Sequence, residues 1–163
     1  MPIKIQEILC PVDFSETSDL ALLYAISLAR AFDAQLNVLH VVAPPVTSLP
    51  GEHFLGDFVQ TDMDALATAC RERVDRLLSE APCTEKITIS PTVVCGIPYL
   101  EIVRMAGEIK ADLLVMGTHG RSGIEHLLIG SVAERVVRKA PCPVLTVKKP
   151  RNHDKGDDKK KTD

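Results

Sequence analysis

Tryptophan is absent from these 163 residues, and the aromatic complement is four phenylalanines and two tyrosines. A core must then be built from Leu, Val, Ile and Ala. Positive charge is not in excess either: the formal net charge is −3, which gives no general pull on nucleic acid or an anionic membrane. The five cysteines, Cys10, Cys70, Cys83, Cys95 and Cys142, are odd in number and form no CxxC pair. That argues against a disulfide framework and against a zinc site, and a reducing compartment is the simplest setting. No apolar run reaches the ~18 residues of a membrane span. The opening MPIKIQEILCPVD lacks signal-peptide architecture, so a cytoplasmic location is expected. Two nucleotide signatures are missing as well. There is no GxxxxGK[ST], and no GxGxxG follows the first apolar segment.

What is present is an alternation of short apolar runs and helical periodicities. Apolar residues make up 45 % and charged residues 25 %, the balance of a globular domain. Strands are expected over residues 5–12, 35–42, 87–95, 112–116 and 144–147, and helices over about 18–31, 63–79, 100–109 and 131–139. Pro91 inside the third strand suits a sheet edge. In the second helix Leu66, Cys70, Val74, Leu77 and Leu78 form an inward stripe, and Arg71, Glu72, Arg73, Asp75 and Arg76 face outward. Residues 1–150 are expected to form one domain. Within it, segment 43–60 holds Pro44, Pro45, Pro50, Gly51 and Gly56 and is long for an α/β connector. It is a lid, a partner surface or a tolerated insertion. Residues 151–163 contain no apolar side chain and are expected to be a disordered charged tail. Five strands alternating with four helices predict an α/β fold, an open parallel sheet with helices on both faces. Such sheets take ligands beyond the carboxyl ends of their strands, where Asp13 and Gly117 fall.

The segment after the fourth strand, GTHGRSGIEHLLIGSV, carries four glycines. Glycine allows a tight turn and close approach of a helix to the sheet, which is one reading. The other is an anion cradle. Gly117 and Gly120 bracket Thr118-His119, while Gly130-Ser131 stands before a helix whose first N–H groups are unpaired and partly positive. Ser131 either caps that helix or donates its hydroxyl to a phosphate oxygen. Arg121 is the nearest basic side chain, as counter-charge or as an exposed loop charge.

The spacing Gly117-x-x-Gly120, nine residues, Gly130-Ser131 closely resembles that of nucleotide-binding members of the universal stress protein family. Other landmarks accompany it: Pro11-Val12-Asp13 followed by Phe14-Ser15, His40-Val41, Gly96-Ile97-Pro98, and Pro143 to Val147. The resemblance covers about residues 3–148. It implies a Rossmann-like sheet of strand order 3-2-1-4-5 and an ATP-binding protein of stress response or signalling, with little or no hydrolysis. By that resemblance adenine packs near Pro11 and Val41, and Asp13 sits near the ribose or a phosphate-bound Mg²⁺ or Mn²⁺. Gly117, His119, Gly120, Gly130, Ser131 and Val132 line ribose and phosphates, with Val12 and Met116 beside them. A homodimer through Val144, Leu145, Thr146 and Val147 is implied too. It would cover an apolar edge strand that is a liability when left alone.

Plainer roles stand beside these. Asp13 can cap the first helix or its preceding turn, His40 reads as a packed strand histidine, and Cys10 has no base beside it that would make it a nucleophile. No Walker lysine, kinase set or general base beyond Asp13 is visible. A slow ATPase and a non-nucleotide interaction module are the alternatives.

Overall fold

β1 (Glu7–Val12) reads Glu-Ile-Leu-Cys-Pro-Val, and all but its first residue are buried. A strand buried on both faces belongs in the middle of a parallel sheet, and that is its place in the computed structural model. The structure describes residues 3–43, 87–118 and 129–149 and, within 64–79, residues 64–66, 68–69, 71–73, 75–76 and 79. The chain runs from β1 through α1 (Glu16–Phe32), β2 (Gln35–Val42) and α2, the helical residues within 64–79. It continues with β3 (Ile89–Cys95), α3 (Pro98–Glu108), β4 (Leu113–Gly117), α4 (Ser131–Lys139) and β5 (Val144–Val147). The strands line up as β3-β2-β1-β4-β5, and every pairing is parallel. This is the expected Rossmann-like α/β fold. Strand order reverses at β1, so a crevice opens between the carboxyl ends of β1 and β4.

Two cores follow from the period-two alternation of the strands. Ile8, Cys10 and Val12 join Leu36, Val38 and Val115 under Ala21, Leu22, Ala25, Ile26 and Ala29 of α1. Leu9, Leu39, Leu114 and Met116 point the other way, under Ile102 and Ala106 of α3 and Ala133 and Val136 of α4. The buried alanines of α1, Ala21, Ala25 and Ala29, recur every four residues, so this helix lies close on the sheet without aromatic bulk.

Element starts move where local chemistry overrides periodicity. α1 begins at Glu16 because Ser15 is its N-cap, with the Ser15 hydroxyl oxygen accepting from Ser18 N–H at 3.3 Å. α3 begins at Pro98, whose ring suits the first helical position. β1 begins at Glu7 because Asp112 gathers its entry: Oδ2 accepts from Gln6 N–H at 2.8 Å and Glu7 N–H at 3.0 Å. These two bonds hold the Asp112 carboxyl below the usual carboxylate range.

Pro91 is on the edge strand as expected. Leu36 N–H donates to Thr88 O at 2.9 Å and Gly96 N–H to Val42 O at 3.0 Å. Even-numbered residues of β3 therefore face β2, and Pro91 belongs to the outward row, where its missing N–H costs no ladder bond.

Arg73 departs from its expected outward position. It is half-buried, and its Nε donates to Asp19 Oδ1 of α1 at 2.8 Å. Arg71, Glu72, Asp75 and Arg76 are exposed, as the periodicity predicts. The expected apolar positions Cys70, Val74, Leu77 and Leu78 lie outside the described residues, as do 44–60 of the long connector and the 151–163 tail.

Candidate functional site

Three helices start at the carboxyl edge of the sheet, and a cavity of about 340 Å³ lies among them. β1 contributes Pro11 and Val12, followed by Asp13. β2 contributes Leu39 and Val41, and β4 Met116 and Gly117 followed by Thr118. Pro98 and Ile102 come from α3, and Gly130, Ser131, Val132 and Ala133 from the start of α4. Ser18 of α1 completes the lining. Of the residues singled out in the sequence, Pro11, Val12, Asp13, Val41, Met116, Gly117, Gly130, Ser131 and Val132 come together on this one wall. His119, Gly120 and Arg121 lie outside the described residues.

The β1–α1 turn is braced by side chains. Asp13 Oδ1 accepts from Ser15 N–H at 3.0 Å and from the Ser15 hydroxyl at 2.6 Å. The turn-forming role open to Asp13 is thus observed, and it fixes the carboxylate at the cavity edge. Phe14 has φ of 64°, a left-handed conformation that is costly for a bulky residue. It is held from two sides. Its ring lies 4.5 Å from that of His40, and the Arg73 guanidinium sits 5.7 Å from its centroid while donating to Phe14 O at 3.5 Å. His40 is buried, and its Nδ1 is 2.7 Å from Val12 O. A carbonyl can only accept, so Nδ1 carries the proton. His40 is therefore a packed strand histidine that ties β2 to the end of β1.

The described ends of the β4–α4 connection meet through main-chain bonds. Thr118 N–H donates to Val147 O at 2.9 Å, and Gly130 N–H donates to Thr118 O at 2.6 Å. Gly117 is needed for packing: a Cβ there would lie 3.1 Å from the Thr17 carbonyl carbon and oxygen. The close-approach reading of this glycine is therefore correct at Gly117, where the first turn of α1 passes the end of β4.

Ser131 is not the cap of α4. Gly130 is, in extended conformation and with no side-chain cap bond. Among the described residues no side chain caps the first N–H groups of α4, and Gly130 to Ala133 lie along the cavity, so these N–H groups can serve an acceptor bound there. The described lining has one carboxylate, Asp13, and no basic side chain. The positive end of the α4 dipole is the electrostatic feature that favours an anion here.

Sequence reasoning passed over Ser18, Leu39, Pro98, Ile102, Thr118 and Ala133. Some signals existed. Leu39 shares a face with Val41 by alternation, Ile102 lies one helical turn from Pro98, and Thr118 stands inside the glycine segment. Ser18 gave the weakest sign, a buried serine whose hydroxyl donates back to Ser15 O at 2.9 Å. No group of three or more metal-ligating side chains occurs among the described residues. No described helix is long and apolar enough to cross a membrane.

Comparison with known proteins agrees with this architecture. A universal stress protein from Methanocaldococcus jannaschii is 38% identical over 151 residues, covering 90% of this chain and 84% of that protein. The structure of universal stress protein UspA from Lactobacillus plantarum superposes with a TM-score of 0.75 at 26% identity, covering 88% of this chain and 98% of that one. A universal stress protein solved in complex with cAMP gives a TM-score of 0.61 at 28% identity, covering 88% and 97%. The profile of the universal stress protein family matches residues 4–148, and with the β3-β2-β1-β4-β5 sheet and its landmarks in place the chain belongs to that family.

Proposed function

We propose that this protein binds an adenine nucleotide, ATP with Mg²⁺ or Mn²⁺, in the cavity at the carboxyl edge of β1, β2 and β4, and acts in stress response or signalling. The observation that carries the reading is the start of α4, which has no side-chain cap among the described residues, at one end of a largely apolar cavity. Leu39, Val41, Ile102 and Met116 offer a surface for a purine, and Gly130 with the N–H groups after it offers a seat for phosphates. A relative of 28% identity was solved with cAMP, which supports the ligand class.

A single carboxylate fits a phosphate-borne Mg²⁺, an ion commonly held by one or two carboxylates together with substrate phosphates. Asp13 would be that ligand. Its Oδ1 already accepts two bonds from Ser15, which orients the group. Bound there, the ion would supply counter-charge to the phosphates. No lysine or arginine in the described lining is placed for phosphoryl transfer, so binding with little or no hydrolysis is the reading preferred over a slow ATPase.

The protein is further proposed to pair as a homodimer through β5, whose Leu145 is 37% exposed at the sheet edge. Sedimentation at micromolar concentration should give twice the 17.8 kDa chain mass; a clean monomer contradicts the pairing. The direct test of the ligand is nucleotide released from gently purified protein and identified by mass. Near-stoichiometric ATP supports binding with slow turnover. ADP or AMP favours the ATPase. An empty protein that also fails to bind ATP, ADP and cyclic nucleotides on titration overturns the reading in favour of an interaction module.

A further inference from the structure

A second basin lies along α4, directly outside the first cavity. It is an open groove of about 430 Å³, lined by Tyr99, Ser131, Glu134, Arg135, Arg138 and Lys139. Ser131 lines both spaces, and Tyr99 follows Pro98 of the first cavity directly in sequence. The two are thus adjacent rooms meeting where α3 and α4 begin.

The chemistry of the second room is cationic. Arg135, Arg138 and Lys139 face one acid, Glu134, in a chain whose formal net charge is −3. Glu134 is already engaged, with Arg138 at 2.9 Å. The other two cations lean on one ring: the Arg135 guanidinium carbon is 5.0 Å and Lys139 Nζ 5.3 Å from the Tyr99 centroid. Among the described residues no carboxylate pairs with either. A ring that holds two like charges on neighbouring turns restrains them before any ligand arrives. The spacing 131, 135, 139 places Ser131, Arg135 and Lys139 on one helical stripe, rising from the α4 start at ~6 Å per step.

We infer that the site takes nucleotides whose phosphate chain continues past Ser131 into this basin, that is, nucleoside polyphosphates longer than a triphosphate. The inference rests on the nucleotide reading above. Phosphates seated at the start of α4 leave by way of Ser131, and Arg135 is one turn further on. A terminal phosphate placed there accepts from a guanidinium in a planar fork and meets Lys139 as a point charge. Contiguity through Ser131 favours an extension of the same small molecule over an independent acidic peptide.

The test compares ATP with adenosine 5′-tetraphosphate by calorimetric titration at fixed salt and Mg²⁺, on the full chain and on the double variant Arg135→Ala/Lys139→Ala. Both side chains are exposed on α4, and circular dichroism checks that the fold is kept. The expected result for the wild type is tetraphosphate binding at least about tenfold tighter than ATP. In the double variant that advantage is lost, while ATP affinity changes by less than about threefold. If ATP binds the wild type but tetraphosphate binds no tighter, or if its advantage survives the double substitution, the inference is overturned and the nucleotide reading stands. If neither ligand binds the wild type, both fall. Tight binding of an acidic peptide that is abolished by the double substitution, without any tetraphosphate advantage, would reassign the basin to a protein partner.

Discussion

The β1–α1 turn and the described ends of the β4–α4 connection, Thr118 and Gly130, show different kinds of bond at the cavity. The β1–α1 turn is locked by side chains: Asp13 on Ser15, His40 on Val12, and Phe14 held between His40 and Arg73. At the described ends of the β4–α4 connection, Thr118 N–H donates to Val147 O and Gly130 N–H to Thr118 O, and among the described residues α4 has no side-chain cap. One arm is complete before a ligand arrives. The other begins a helix whose first N–H groups take no side-chain cap among the described residues, and an incoming acceptor can use them. Binding should therefore draw chiefly on the second arm, whereas folding draws on the first.

Substitutions can break that division. The largest effect should come from Gly130→Leu, which puts bulk at the α4 start while keeping an accessible backbone conformation, φ −73° and ψ 156°. Nucleotide affinity should fall at least about 100-fold, with the circular dichroism spectrum unchanged. Retained ATP affinity would mean the phosphates lie elsewhere. Gly117→Ala should act on stability, because the atoms its Cβ meets at 3.1 Å are backbone and cannot swing aside. A loss of about 1–3 kcal/mol is expected in urea unfolding, and no loss would show that α1 can shift away freely. Ser15→Ala removes the N-cap of α1 and a bond partner of Asp13 at once. It should cost about 1 kcal/mol and weaken the Mg²⁺ dependence of nucleotide binding more than binding without metal. Equal weakening of both would separate Asp13 from the ion.

The smallest effect should come from Asp112, at the amino edge of the sheet and away from both arms. The N–H groups of Gln6 and Glu7 lower its folded pKa, so the ionised form is the stabilising one. Its contribution is complete above the ordinary carboxylate pKa and is lost as pH falls through the lowered folded value. The stability gap between wild type and Asp112→Asn should be widest near neutral pH and close in acid, with nucleotide affinity at pH 7 unaltered. A gap independent of pH would deny Asp112 this role.

Much of this arrangement was legible in the chain itself. Alternation placed the strands, Pro91 marked an edge, and the spacing Gly117, Gly120, Gly130-Ser131 pointed to the end of β4 and the start of α4. Periodicity could not see what is decided by contact between distant segments. Arg73 looked like any outward helical arginine, yet it crosses to Asp19 and Phe14. Phe14 gave no sign of a left-handed φ, since the His40 ring that supports it lies one strand away in sequence. Close approach was one of two readings for Gly117, but which segment comes close, the backbone of Thr17, is set by α1 and not by the local sequence. Of the two roles open to Ser131, cap or hydroxyl donor, the cap falls to Gly130, a residue without a side chain that periodicity gives no reason to choose.

Pro91 has a consequence for how many copies can associate. With its outward row interrupted at the middle of β3, one margin of the sheet is a poor template for further strands, and β5 is the other margin. In the language of polymer chemistry, such a sheet is monofunctional. A unit with one reactive end couples once and terminates the chain, so the proposed association through β5 would close at a pair and would not propagate into a fibre.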